Sequence, residues 1–466
     1  MGATHDLVIT GGSLVTESGV IEGDLGVDDG RIAAVGASGT LGAGRTATID
    51  ATDRLVVPGL VDLHVHLSTH NAGAVGHAML ARAGVTTALD LTGPTEETVS
   101  LAASHGAGLT IGVVEAIRPG PGLPERPTPA QVRRAIDRVV SSGALGVKLH
   151  VDSGWGPDAT ATIIAEASAR RLWVAVHCGT TATASDLTGL AETLELADGE
   201  PIQVAHVNSY CRGDVDDPAV EAERAVELLR GAPRAVGESY LDRFNATWGS
   251  CVDGVPENTR LPGWLVRGGF TPDEDGVVAA ILAGWAGVVH PGEEVAAILT
   301  GAEGVEVYRA AGTRIALCLP VNPAVSRVAL ATSKDATGAF DVPALATDGG
   351  GLPRNTTLAA GLALVELGFL TLPELVHKAS TAPARLLGLH RKGRIAEGTD
   401  ADLAVVDPTA RRVSETIAGG RVVHWAGGTL RAASTLLTTA EADVAWPGER
   451  LEIDTAETGL RRGDWR

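Results

Sequence analysis

The sequence predicts an α/β protein: a (β/α)8 TIM barrel with a small β-sandwich domain built from both termini. Three observations lead there. Eight strand-like runs alternate with helix-like stretches through the middle of the chain. The two ends share another texture, short strand-like runs punctuated by glycines. No GxGxxG motif opens a βαβ unit, which argues against a doubly wound open sheet.

Residues 1–57 make the first part of the β domain. Leu7 to Thr10, Leu25 to Val27 and Ile32 to Val35 read as strands, with Gly11-Gly12 and Asp28-Asp29-Gly30 as turns. The barrel occupies residues 58–389. Its strands are expected to end near His66, Asp90, Glu115, Lys148, His177, His206, Glu238 and Asp348. Helices are expected over 130–140, 159–170 and 218–229. The interval 240–342 is too long for one loop and one helix, so it must hold an inserted lid or subdomain. Residues 390–440 return to the β domain through strands at 402–407 and 421–425. The charged tail 441–466 reads as a surface or subunit-contact segment.

Composition narrows the function. Hydrophobic residues make up 44% and aromatics only 3%, so the core must be mostly Ala, Val, Leu and Ile. A net charge of -20 argues against nucleic acid or an anionic membrane surface as partner. The four cysteines form no CxxC pair and no disulfide framework, which predicts reduced thiols and a cytoplasmic setting. No basic-then-apolar signal segment opens the chain. The longest apolar stretch, 276–289, is too short to span a bilayer and reads as a core helix.

Lys148 stands out. It lies in the apolar run Ala144 to Val151, in a chain with 33 arginines among its 37 basic residues. Burial disfavours an ammonium. A neutral lysine amine can take up carbon dioxide and become a carbamate, an anionic ligand able to bridge two metals. The other ligands such a site needs are present. His64 and His66 are two apart on a strand and so share a face. They follow an apolar run, at the strand end where barrel enzymes carry their chemistry. His177 and His206 end two successive apolar runs. Imidazole is a common metal ligand, although a lone strand-end histidine is usually structural. Asp348 precedes three glycines, where it is either a turn or cap residue or a ligand and proton shuttle. His150 and Asp152 lie two and four residues beyond Lys148 and would share its face if the strand continued. His150 could then face the substrate. His70, His77, His105, His290, His377, His390 and His424 lack this strand-end context and read as structural or surface residues.

This set resembles the amidohydrolase superfamily, in particular the binuclear members with a carboxylated lysine, such as hydantoinases, dihydroorotases and the urease catalytic subunit. Pro58-Gly59-Leu60-Val61-Asp62-Leu63-His64-Val65-His66 is similar to the family's first-strand motif. Gly393-Arg394-Ile395-Ala396-Glu397-Gly398-Thr399-Asp400-Ala401-Asp402-Leu403 looks like the return into the β domain, and Thr381-Ala382-Pro383-Ala384-Arg385 like the helix before it. Lys148-Leu149-His150-Val151-Asp152 with Gly154-Trp155-Gly156 is similar to urease's lysine segment. No Cys-His-His flap like urease's is present, and Trp155 lies in the neighbourhood of the hydantoinases' tyrosine.

The resemblance implies two divalent metals. His64, His66 and Asp348 would hold one, His177 and His206 the other, and carbon dioxide fixed as a carbamate on Lys148 would bridge them. Zinc suits these donors, and manganese, nickel or iron could also fit. A metal-bridging hydroxide would attack an amide, cyclic amide or ureido carbonyl of a small molecule. Asp348 would move the proton, His150 would stabilise the oxyanion and Asp152 would orient His150. Family habit adds a homo-oligomer, a dimer or tetramer. The rivals are an N-acyl-amino-acid deacylase, a mononuclear deaminase of a nucleobase-like compound, and a noncatalytic scaffold on the same barrel. The deacylase would need a cation for the substrate carboxylate, with Arg212, Arg243 and Arg260 as candidates.

Overall fold

The computed structural model describes residues 5–68, 72–463 and 465, so His70 lies outside the described residues. Seven parallel strands stand side by side: Leu60–His66, Val85–Asp90, Thr110–Ala116, Gly146–His150, Trp173–His177, Ile202–Val204 and Ala235–Ser239. The eighth is split. Its first piece, Ala344–Leu345, pairs with the seventh strand, and its second, Gly349–Gly350, pairs with the first. The ring is therefore closed, with Asp348 beside the break.

Helices cover the outside. Pro129–Ser141 shows why they form and where they face. Thr128 and Gln131 make a capping box, Pro129 starts the first turn, and Val132, Ala135, Ile136, Val139 and Val140 are buried at helical spacing. Burying each large apolar side chain of this kind is worth about 1.5–3 kcal/mol. Pro157–Ala169 and Pro218–Gly231 also begin on proline and bury one stripe.

The inserted segment has a fold of its own. Asn245–Trp248, Ala316–Leu319, Gly287–Pro291 and Ala296–Leu299 make a four-stranded sheet in that order. Helices Leu261–Arg267, Glu274–Leu282 and Gly301–Ala310 pack on it around Trp264, Tyr308, Leu317 and Leu319. The apolar stretch 276–289, expected as one core helix, is instead a helix and a strand. Gly284, at φ 73°, makes the turn between them. Helix Ala324–Thr332, expected inside the insertion, instead packs against Pro218–Gly231 and covers the barrel.

The terminal segments share one nine-stranded sheet. Strands far apart in its order meet in one core, with Ile32 and Ile417 in the same cluster, so the sheet curls over itself like a sandwich. Gly11-Gly12, expected as a turn, is a bulge inside the strand Leu7–Thr16. There the strand changes partner, from Ala47–Asp50 to Leu55–Val56. A Cβ on Gly12 would lie 2.7 Å from Val56 Cγ2, so any larger residue there would force the Val56 side chain to shift.

Two expectations also change near the C-terminus. Strand Thr435–Thr438, expected in the β domain, joins the lower half of the third barrel strand, and Leu460 and Trp465 of the tail are buried with Leu437 in a barrel cluster rather than at the surface. Among the described residues, no helix is long and apolar enough to cross a membrane.

Candidate active site

The candidate site residues that the sequence points to meet at the C-terminal face of the barrel. His64, His66, Lys148, His150, Asp152, His177, His206 and Asp348 line one cavity of about 280 Å³. His64 and His66 both aim Nε2 at Asp348 Oδ1, at 3.3 and 2.7 Å. Potential ligand atoms of these three residues lie within 4.8 Å of one another. His206 stacks on His64 with ring centroids 5.1 Å apart, and His177 meets His206 edge-on at 4.4 Å.

Lys148 is 1% exposed, and its Nζ has no hydrogen-bond partner among the described residues. Burial pushes it below its ordinary pKa, although Glu238 and Asp348 pull the other way. His206 Nδ1 and Glu238 Oε2 are likewise buried without partners. Orphaned polar atoms on two cavity-lining residues, Lys148 and His206, fit a site completed by cations, because an unpaired buried polar group is costly. Imidazoles with a carboxylate are a donor set for divalent metal.

The imidazoles are held neutral. Burial drives His64, His177 and His206 well below their ordinary pKa, with Lys148 adding to it. Neutral imidazole is the ligand form. Asp348 is also buried, which by itself would raise it. Arg354, His64 and His66 outweigh that and hold it well below the usual carboxylate range.

Several supporting residues were not among the site candidates that the sequence offers. Arg354 Nη2 pairs with Asp348 Oδ2 at 2.7 Å, and its Nε donates to the Asp348 carbonyl. Glu238 Oε1 accepts from His64 Nδ1 at 2.7 Å and from the His206 amide at 2.8 Å. Thr92 Oγ1 bonds His66 Nδ1. Asp62 Oδ1 takes the amides of His64 and Thr347 at 3.1 and 3.2 Å, tying the first strand to the eighth. Such outer partners fix ring orientation and tautomer. His206 and Asp348 also sit at φ 35° and 52°, the left-handed region that non-glycine residues avoid.

Two expectations change in detail. The fourth strand ends at His150, and a 3-10 turn, Val151–Ser153, follows, so Asp152 leaves the shared face. Its carboxylate is 59% exposed and 3.7 Å from His150 Nδ1. The Asp152 amide donates to that nitrogen at 3.1 Å. In the neutral ring the proton is therefore on Nε2. Trp155 donates Nε1 to the Ile117 carbonyl and is buried, so it is a packing residue rather than part of the cavity wall. Of the three candidate arginines, Arg212 and Arg260 line the cavity and Arg243 does not; it stacks on Phe244. Arg118, not singled out from the sequence, lines it as well.

Fold and strand ends together define the class, a metal-dependent hydrolase barrel with an appended β domain. Comparison with known proteins agrees. The model of the Amidohydrolase family matches residues 303–423. Imidazolonepropionase of Brucella anthropi is 26% identical over 403 residues, 82% of this chain and 86% of that protein. A D-hydantoinase of Rhizobium radiobacter is 43% identical over 93 residues, covering 18% of this chain and 20% of its own. The crystal structure of an N-acyl-D-glutamate deacylase from Bordetella bronchiseptica, complexed with zinc and a phosphonate inhibitor, superposes with a TM-score of 0.65 at 16% identity, over 93% of this chain and 99% of that one. The chain is thus similar in sequence to amidohydrolases along most of its length, and in fold to solved members.

Proposed function

We propose that the protein is a binuclear metal-dependent amidohydrolase that opens an amide, cyclic amide or ureido C–N bond of a small molecule. The observation that carries this is the convergence of four imidazoles, Asp348 and the unpartnered Lys148 amine at one barrel mouth. His64, His66 and Asp348 would hold one metal, and His177 and His206 the other. Lys148, carboxylated, would bridge them. Bound divalent metal, with zinc as the expected ion, supplies Lewis acidity and an activated water at neutral pH.

The chain's own groups do the rest. Asp348, ionised beside Arg354, accepts the proton of the attacking water at Oδ1 and passes it to the leaving nitrogen. His150 donates Nε2–H to the developing oxyanion. The insertion, through Asn245, Thr247, Trp248 and Trp264, walls the cavity against bulk water. An N-acyl-amino-acid deacylase is the second reading, favoured by the arginines in the cavity. The cysteines, all free and three of them buried, support a reducing, cytoplasmic setting.

The test is elemental analysis of protein prepared with bicarbonate and without chelator, alongside hydrolysis of hydantoins and N-acyl amino acids. Wild type should carry two metals per chain, and Lys148→Ala should lose most of both together with activity. A Lys148→Ala variant that keeps two metals and full activity would refute the bridge. One metal in the wild type would turn the search to mononuclear deacylases and deaminases.

A further inference from the structure

The chain carries 57 acidic residues against 37 basic ones, yet its active-site cavity inverts that balance. Arg118, Arg212, Arg260 and Arg354 line it, against the carboxylates of Asp152 and Asp348. Arg354 is already committed to Asp348. Arg212 and Arg260 are not committed to any acid.

Arg212 is 3% exposed, and all its side-chain hydrogen bonds go to neutral acceptors. Nε reaches Asn322 Oδ1 at 2.9 Å. Nη2 reaches Ser209 Oγ at 2.9 Å, Asn245 Oδ1 at 2.9 Å and Tyr240 Oη at 3.3 Å. Nη1 has no hydrogen-bond partner among the described residues, and the guanidinium lies 5.4 Å over the Trp264 ring. A buried guanidinium without a counter-ion is costly, and this one is fixed in orientation by four neutral side chains. Arg260 stands just before the insertion helix Leu261–Arg267 and makes no side-chain hydrogen bond or ion pair among the described residues. Asp214, the other acid that it senses besides Asp152, is paired with Arg267. Two guanidinium groups held apart from acids in one pocket match the planar, two-oxygen geometry of a carboxylate.

We propose that Arg212 and Arg260 dock a carboxylate of the substrate, so that the enzyme acts on N-acylated or ring-closed derivatives of a carboxylic acid and discriminates against their neutral analogues. The inference rests on the hydrolase reading above and names its substrate class. Arg212 comes from the loop after the sixth strand, and Arg260 from the insertion. The insertion is thereby a specificity element as well as a wall.

The test uses matched pairs: N-acetylalanine against N-acetylalaninamide, and hydantoin-5-acetate against 5-propylhydantoin. With metal-loaded wild type, kcat/KM should favour the anionic member of a hydrolysed pair by about 100-fold, and Arg260→Gln should cut that preference at least about tenfold. Equal rates within each hydrolysed pair, or a preference unchanged in Arg260→Gln, would overturn the subsite while leaving the hydrolase reading intact. If no member is hydrolysed, the hydrolase reading fails for these classes, and calorimetry with N-acetylalanine then judges the subsite alone. Binding at least tenfold weaker in Arg260→Gln than in wild type would sustain it. Equal binding, or none to wild type, would overturn it.

Discussion

Glu238 Oε1 serves two histidines at once, fixing the ring of His64 and the backbone of His206. Glu238→Gln keeps the shape but leaves one acceptor oxygen where the carboxyl group has two. It should weaken metal binding by about 10–100-fold, read by chelator competition. His150→Asn should lower kcat by about 100-fold or more, since it removes the donor aimed at the oxyanion. Asp152→Asn keeps the amide that sets the His150 tautomer, so its loss in kcat should be much smaller than that of His150→Asn under the same assay. The strand-end histidines, Lys148 and Asp348 were legible because strand periodicity and an apolar context constrain them. Glu238 was visible only as a strand end, and Arg354 not at all. Their roles arise from contacts across 174 and 6 residues of chain, to which no local pattern refers.

At the scale of elements, the stretch between the last barrel helix, Ala382–Leu386, and the β-domain strand Leu403–Asp407 is held by a buried ion pair. Lys392 Nζ bonds Asp402 Oδ2 at 2.5 Å, and Asp402 also takes the Gly419 amide. Burial would lower Lys392, but Asp402 and Asp400 outweigh it and raise its pKa above the ordinary 10.5. Lys392→Met leaves a buried carboxylate unpaired and should cost about 3–5 kcal/mol in urea unfolding. A raised lysine stabilises fully below its unfolded pKa and loses that effect as pH climbs through the folded one. The gap between wild type and Lys392→Met should therefore hold from pH 6 to 9 and narrow above about 10.5. Element boundaries were read less well than element types. Gly11-Gly12 is turn-like in composition but bulged in context, and the apolar run 276–289 has no periodicity that separates a helix from a helix followed by a strand. Helix Ala324–Thr332 went unassigned because the insertion before it hides the βα rhythm.

Across the whole molecule, the C-terminal segment is part of the barrel's foundation. The third strand reaches the fourth only from Val114 onward, and Thr435–Leu437 pairs below that point. Deleting residues 435–466 removes the buried Leu436, Leu437, Leu460 and Trp465. The loss should be several kcal/mol, a large share of a typical folding free energy, and show as a fall in Tm. The tail's charge masked this from the sequence, because its few apolar residues are spread among acids and arginines. The thiols offer a further test. Burial raises the pKa of Cys178 to about 11 and of Cys318 to about 12, and leaves Cys251 the most accessible. Mass spectrometry after brief alkylation of native protein should find label at Cys251 alone.

The split eighth strand has one more consequence. Asp348 reaches its histidines only when Ala344–Leu345 has met the seventh strand and Gly349–Gly350 has met the first. Joining the two ends of the ring and assembling the cluster are one event. A chain that has collapsed without joining them would have His64 and His66 but no third donor. Tight metal uptake would then count the properly finished molecules in a preparation, a built-in assay of maturation that requires no knowledge of the substrate.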